Sequence, residues 1–527
     1  MGDAPVSVPD RDPEAGAPTG KGERRRLRIG WCVLCLAFFL ISAGWALALP
    51  VDGTYDEAQH LIRAYGAASG QLYSPPAAAA RGGGAWYDVP RSLLPDNVNC
   101  PWKGEDARAK RSAACQHTPP DDTSLHRVGT TAGRYNPVYY LPVGIPMVLL
   151  PHTTGILLGR LVSGLMSAML LASATVIALR LRNRLMIVAI VLAATPMTVN
   201  LSGAINPNGL EIAAGVLLWA TLLALLRTPD GTFDNRTIRR LLILAAIAAS
   251  LLLTLRALGP LWLVGILVTT LIVAVPGRLA ALIRRIDTWV LLVVVALVAG
   301  YAAWWLAFSG VTEAVPTRGG SEPLENMIRL MLVDRSSFWT DQIVGVFSYG
   351  ETRLPSWLTV FWYAMVAALV LPAALLAPRR ERWAVAGVGI ASVLALVAFE
   401  VVYYPTLNWA QHGRYVMPLG VGLLLVAAVV GRYATALRPT GQLALLRMVA
   451  IGTAPLHLFA LALVMTRFQS GPGAPLSPFT GEWLPPTGPV VPFLATVAGL
   501  LVLVWYAFRG TTWFDSASAL GRERSVA

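Results

Sequence analysis

Trp289-Val-Leu-Leu-Val-Val-Val-Ala-Leu-Val-Ala-Gly-Tyr-Ala-Ala-Trp-Trp-Leu-Ala307 carries no charged residue. As a helix it is close to the length that crosses a hydrocarbon core. Leu241–Leu255 and Val490–Phe508 are comparable runs. Across the 527 residues, 55% are apolar and 13% charged, far from the balance of a water-soluble domain. The chain therefore reads as an all-α polytopic membrane protein with about twelve spans. They are expected near 29–49, 155–179, 185–203, 209–226, 241–258, 260–276, 288–309, 357–377, 383–403, 416–431, 447–465 and 490–508. This excludes a soluble enzyme.

A net charge of +13 would suggest nucleic acid in a soluble protein. Here the basic residues cluster between apolar runs, as the positive-inside rule requires of cytoplasmic loops, so no nucleic-acid partner is expected. With the N-terminus inside, Arg180, Arg182 and Arg184; Arg236, Arg239 and Arg240; Arg278, Arg284 and Arg285; Arg379, Arg380 and Arg382; Arg432 and Arg438; and Arg509, Arg522 and Arg524 all fall on one side. That side also holds a basic tail over 1–28 and a C-terminal tail over 510–527, leaving 29–509 as the membrane domain. The expected location is a bacterial inner membrane with both termini cytoplasmic. The segment 137–151 is short and broken by Pro137, Pro142, Pro146 and Pro151. Counting it as a span would invert every later loop, so it is expected to lie flat at the interface, with Tyr139 and Tyr140 at headgroup level.

Two outer regions, 51–154 and 310–356, are then too long to be connectors. The first holds Cys100 and Cys115, candidates for a disulfide on the oxidising side of the membrane. Cys32 and Cys35 lie inside the first span and read as small apolar residues.

The first outer loop opens with Thr54-Tyr-Asp-Glu-Ala-Gln-His-Leu-Ile-Arg63, followed by a glycine stop at Gly70. On a helix Asp56, His60 and Arg63 share one face. Asp56 is the candidate base; Glu57 is either a second carboxylate or, with Thr54, part of a capping box. Further along come Asn408-Trp-Ala-Gln411-His412-Gly-Arg414-Tyr415 and, near the outer end of a span, Arg256. An arginine at that depth needs an anion, and its planar fork suits phosphate oxygens; snorkelling to headgroups is the bland alternative. Glu211, just inside a span after Asn206-Pro-Asn-Gly, should face a polar cavity rather than lipid. No phosphate-binding loop, dinucleotide fingerprint or zinc-ligand set is present.

This layout, with Asp-Glu opening a large outer loop ahead of a Pro-Tyr-Tyr segment and many spans, resembles the GT-C superfamily of membrane glycosyltransferases. The strings Asp56–Tyr65, Asn136–Tyr140, Asn206–Glu211 and Gln411–Pro418 are similar to those of a family of bacterial membrane proteins of unknown function. The resemblance implies sugar transfer from a polyprenyl-phosphate carrier to an envelope glycan, lipid or protein acceptor on the outer face. It also implies that Asp56, with Glu57 beside it, acts as base or helps hold a divalent cation. Asn136 and Asn208 depart from the Gln and acidic residue common at those places, which weighs against a metal site of several carboxylates.

The expected reaction is inverting: Asp56 takes the acceptor proton while Arg414 and Arg256 stabilise the departing phosphate. His60, Arg63, Gln411, His412 and Tyr415 are expected to bind or orient substrate. Arg329, Asp334, Arg335, Trp339 and Asp341 of the second outer loop would cover the site. A transporter or flippase for a lipid-linked sugar or polymer would use the same cavity without a base.

Overall fold

The computed structural model describes residues 21–74, 84–102, 111–119, 121–310, 323–407 and 411–510. The chain begins with α1 (Lys21–Ala48), α2 (Glu57–Ala68), a β1–β2 hairpin (Ala85–Pro90, Leu125–Thr130), α3 (Pro137–Leu149) and α4 (Thr153–Arg180). It continues with α5 (Arg184–Ala193), α6 (Pro196–Ser202), α7 (Pro207–Arg227), α8 (Asn235–Leu255), α9 (Gly259–Ile272), α10 (Arg278–Ile283) and α11 (Ile286–Ser309). Then follow α12 (Leu324–Arg329), α13 (Ser336–Val344), the short pair β3 (Val346–Phe347) and β4 (Thr352–Arg353), α14 (Ser356–Leu376) and α15 (Arg379–Leu407). The last are α16 (Met417–Gly420), α17 (Gly422–Ala428), α18 (Gly431–Ser470) and α19 (Val490–Trp505).

Among the described residues, nine helices are long and apolar enough to cross a membrane, which makes this a multi-pass helical membrane protein. Helices α5 and α6 together are also long and apolar enough to cross, as a broken span or a re-entrant pair, bent by 66° at a short break where Thr195 caps the second piece and Pro196 cannot continue the first. Every stretch expected to span is helical, but 260–276 and 416–431 appear as shorter pieces, α9 and α16–α17. The two differ in burial: α9 leaves Leu261, Val264 and Val268 exposed, whereas α17 packs inside. Leu424, Leu425, Val426, Ala427 and Ala428 of α17 are buried accordingly. The helix α18 is broken at Arg438 (φ 55°), immediately before Pro439. The first span also starts earlier than expected, because residues 21–28 extend α1; residues 1–20 and 511–527 of the expected tails lie outside the described residues.

The segment expected to lie flat is the helix α3, capped by Asn136, which accepts from the Val138 amide at 3.1 Å, with Pro137 in its first turn. Its exposed row is Val138, Leu141, Ile145 and Leu149; Tyr139, Tyr140, Val143 and Met147 are buried. The tyrosines are therefore not headgroup anchors. Tyr139 hydroxyl meets Ser163 Oγ at 2.9 Å, and Tyr140 hydroxyl meets His60 Nδ1 at 2.7 Å. Helix α3 lies against α2 closely enough that a Cβ at Gly144 would sit 2.0 Å from the Ala64 carbonyl oxygen. A disulfide joins Cys100 to Cys115 farther along the same outer region.

Two buried arginines fasten this region. Arg160 of α4 grips Glu57 at 2.7 and 2.6 Å and donates to the carbonyls of Ala46, Leu49 and Pro50. All five guanidinium hydrogens are thereby used. Glu57 also accepts from the Asp52 and Ile205 amides. Glu57 is thereby held by a guanidinium and two amides, and it forms no capping box with Thr54. Thr54 instead accepts from Asn200 Nδ2. Arg63, expected on the face of Asp56, turns away and donates to the Tyr135 and Leu72 carbonyls and the Tyr87 hydroxyl. It holds the hairpin and the α3 entry.

Glu57 and Arg160 have almost no exposure, so removing one partner leaves an uncompensated buried charge costing about 3–5 kcal/mol. Glu57→Gln and Arg160→Met should each lower the apparent melting temperature and folded yield in detergent well below Asp56→Asn. Unchanged melting, read by size-exclusion chromatography after heating, would refute a fastening role for the pair.

Candidate functional site

The chain leaves α1 through Pro50–Asp56, where Asp52 (φ 64°) and Asp56 (φ 59°) are both left-handed, a conformation Asp tolerates better than most residues. The turn closes because Gly53 N–H donates to the Pro50 carbonyl and Asp52 Oδ1 accepts from Ala58 N–H at 2.9 Å. Asp52, not the residue flanking the helix, thus supplies the carboxylate for the start of α2. Asp56 is left with its side chain 45% exposed and no capping bond. Tyr349 braces the turn: its hydroxyl donates to Asp52 and accepts from Asp56 N–H at 3.2 Å. Burial pushes the Asp52 carboxyl well above the usual carboxylate range.

Facing Asp56 is the turn Gly413–Val416. Gly413 is needed where α13 crosses, since a Cβ there would lie 2.0 Å from the Trp339 carbonyl oxygen. Gln342 of α13 accepts from Gly413 N–H at 2.8 Å and its amide reaches His412 Nδ1 at 2.6 Å and the Tyr55 hydroxyl at 3.2 Å. This frame sets Arg414 over the Tyr55 ring, 3.9 Å from its centroid, with one guanidinium nitrogen 3.6 Å from Asp56 Oδ2. Arg414 is 1% exposed, and its Nε and Nη1 have no hydrogen-bond partner among the described residues. Buried guanidinium N–H groups without acceptors are costly, and they mark where an anion would be stabilised.

A second cation stands beside it. Arg256 lies 4.5 Å from the centroid of the Tyr415 ring and Arg414 5.2 Å from the same ring. Arg256 is 4.0 Å from Glu211, whose carboxylate also accepts from Asn208 Nδ2 at 3.1 Å. Burial first, then Arg414 and Arg256, hold His412 well below the usual histidine range. His60 stacks between Tyr135 and Tyr140 and is pushed down to about 3 by burial, with Arg256 and Arg414 adding to it. Both imidazoles are neutral at physiological pH.

Of the residues singled out in the sequence, the fold gathers Asp56, Arg256, His412, Arg414 and Tyr415 around one site, with His60 behind Tyr140. Glu57 and Arg63 are taken up by the scaffold. Gln411 joins through its backbone, its N–H donating to Glu400 and its carbonyl accepting from Trp339 Nε1. From the second outer loop Trp339 reaches the site and Arg335 pairs with Glu400 at 3.2 Å; Arg329, Asp334 and Asp341 make none of these contacts, and residues 311–322 lie outside the described residues. Asn408, Trp409 and Ala410 of the Gln-His-Gly-Arg string's lead-in are outside them too. Asp52, Tyr55, Gln342, Tyr349 and Arg160 are the site and scaffold residues that sequence reading missed. Arg160, a lone arginine early in an apolar run, carried the one signal available.

Among the described residues no three His, Cys, Asp or Glu side chains gather in a metal-holding group. Asp56 faces a guanidinium, Glu57 is consumed by Arg160, and Asp52 is bound to an amide and a hydroxyl. This donor set does not fit the divalent cation that the resemblance implied.

The model of a family described as predicted membrane protein (DUF2142) matches residues 39–423. No curated protein matches the chain in sequence. Among solved structures, it is similar to ArnT from Cupriavidus metallidurans in the apo state, at 15% identity over 91% of this chain and 77% of that one, with a TM-score of 0.42. It is also similar to ArnT from the same organism bound to undecaprenyl phosphate, at 14% identity over 93% and 79%, with a TM-score of 0.40.

Because the His60 site is pushed down to about 3, the unfolded chain binds the extra proton first as pH falls below the ordinary histidine value near 6.5. Stability should fall on acidification from about pH 6.5 toward 3. In His60→Asn, whose amide can still meet Tyr140, that slope should be shallower. Melting curves in detergent from pH 7 to 4 that run parallel in both proteins would refute the assignment.

Proposed function

The chain belongs to the DUF2142 family of predicted membrane proteins, and we propose that it is an inverting membrane glycosyltransferase that uses a polyprenyl-phosphate sugar. The observation that carries this reading is the exposed Asp56 held 3.6 Å from a buried Arg414 with two guanidinium nitrogens lacking partners. Helices α1 and α8 end beside this site, at the ends of their apolar runs. A lipid-linked donor keeps its tail in the bilayer and its reactive carbon at that same boundary. By the charge rule this is the extracytoplasmic face of a bacterial inner membrane, with both termini cytoplasmic.

In the proposed reaction an acceptor hydroxyl oxygen attacks C1 of the sugar from the side opposite the phosphate. The C1–O bond to phosphate breaks as the new one forms, inverting C1. Asp56 takes the hydroxyl proton. Negative charge grows on the leaving phosphate, and Arg414 stabilises it through its unpartnered N–H groups, with Arg256 beside it across Tyr415. Arg414 already contacts Asp56, so the carboxylate is held beside the place where the leaving phosphate would sit. The neutral imidazole of His412 adds no competing charge. Helix α13, through Gln342 and Trp339, positions the Arg414 turn, which gives the second outer region a role in closing the site.

Transfer should be measured in proteoliposomes with a panel of polyprenyl-phosphate sugars and envelope-glycan, lipid and protein acceptors. Asp56→Asn, folded by size-exclusion chromatography, should lose about 10²–10⁴-fold in turnover, the range for a general base. Arg414→Lys should also be impaired, because an ammonium lacks the planar fork. Equal transfer by wild type and Asp56→Asn would remove Asp56 as the base. Movement of the intact lipid-linked sugar across the bilayer, unaffected by Asp56→Asn, would favour a flippase.

A further inference from the structure

At the end of the bundle opposite Asp56, α1, α4 and α8 enclose a groove of about 370 Å³ lined by Leu27, Trp31, Val176, Ile177, Leu241 and Leu244. Its volume falls within the range typical of small-molecule sites. Arg24 and Arg28 from α1, Arg180 from the end of α4 and Arg240 from the start of α8 also line it. The polar groups within are already matched: Trp31 Nε1 donates to Ser173 Oγ at 3.0 Å, and one Arg180 nitrogen donates to Thr237 Oγ1 at 2.6 Å. Around Arg180 the other charged groups are Glu23, Asp234, Arg24 and Arg240, two of each sign, so with Arg180 itself the cluster carries one excess positive charge, to which Arg28 of the groove lining adds another.

We infer that this groove binds an anionic phospholipid, its phosphate among Arg24, Arg28, Arg180 and Arg240 and one acyl chain along the Leu27–Val176–Leu244 wall. Three features point to a lipid rather than a soluble anion. The cations sit within the first three turns of α1 and α8 and at the last residue of α4, the ends of helices long enough to cross the membrane, so their charge lies at headgroup depth. Wall residues continue into apolar helix surface, giving a tail a path that a free phosphate does not use. Finally, four arginines from three separate helices converge on one cavity, whereas arginines that only satisfy a loop's positive charge need no shared groove. The site lies across the bilayer from the glycosyl-transfer site and does not depend on that reading.

The test is native mass spectrometry of the full-length protein titrated with phosphatidylglycerol or, separately, phosphatidylcholine of identical acyl chains. One phosphatidylglycerol should be retained per chain at concentrations where phosphatidylcholine is not. Each arginine near a lipid phosphate contributes about fivefold, so Arg28→Gln with Arg240→Gln should weaken retention roughly 25-fold. Arg28→Lys with Arg240→Lys should restore most of it and controls for folding, and Arg414→Gln at the other end should leave it unchanged. Equal retention of the two lipids, or full retention by the double glutamine variant, would overturn the proposal. So would retention seen only after removal of residues 2–20, whose Asp3, Asp10, Asp12 and Glu14 would then be the groove's occupant.

Discussion

The Asp56 end of the helix bundle depends on the Arg160–Glu57 pair. A guanidinium in the first third of a membrane-crossing helix has to place its hydrogens, and here it places all of them. Two go to one carboxylate and the rest to the carbonyls where α1 ends. Those carbonyls have no partner within their own helix. One side chain therefore terminates α1, anchors α2 and joins both to α4. Glu57 completes the join by accepting the Asp52 and Ile205 amides, which ties the α6–α7 connection to the same point. The exit turn can then hold two aspartates in left-handed conformations, because its surroundings over-determine it.

That division of labour explains why adjacent carboxylates differ so much. Glu57 is spent on the scaffold; Asp56, one residue earlier, is turned outward by its positive φ and meets a different arginine. Asp52, four residues before that, is buried against an amide and a phenol and is pushed toward the neutral form. Three acids within six residues thus make a buried ion pair, an open carboxylate and a buried carboxyl bound to an amide and a phenol. The cation side is built with similar economy: Tyr55 and Tyr415 offer ring faces to Arg414 and Arg256, which stabilises buried guanidiniums without using their hydrogen-bond donors. The Nε and Nη1 donors of Arg414 stay available for an anion.

Much of this was legible in the chain. The apolar runs located the helices, since hydrophobicity over some twenty residues is a property of composition alone. Asp56, Arg256 and Arg414 stood out because charge at the edge of lipid is expensive wherever it occurs. The errors came where the deciding quantity was contact rather than cost. Helical spacing put Arg63 beside Asp56, but Asp56 precedes the helix in a left-handed turn and Arg63 faces the hairpin. The motif Thr54-x-x-Glu57 fits a capping box, yet a better-placed partner from α4, a hundred residues away, took the glutamate. The four prolines of 137–151 marked a segment too short to span, and it is the short helix α3, with Pro137 at its start and Pro142 and Pro146 inside it, packed on α2.

The sequence by itself determined a multi-pass helical membrane protein with charge partitioned to one side and a small set of costly polar residues near the other. Those features depend on the solvent each residue prefers, which its side chain specifies locally. Only the tertiary structure decided which of the costly residues answer one another: Arg160 with Glu57, Arg414 with Asp56, Arg256 with Glu211. A buried charge must find a partner, but any of several would serve. The choice among them is made by where the packed helices bring distant stretches of chain within a few ångströms.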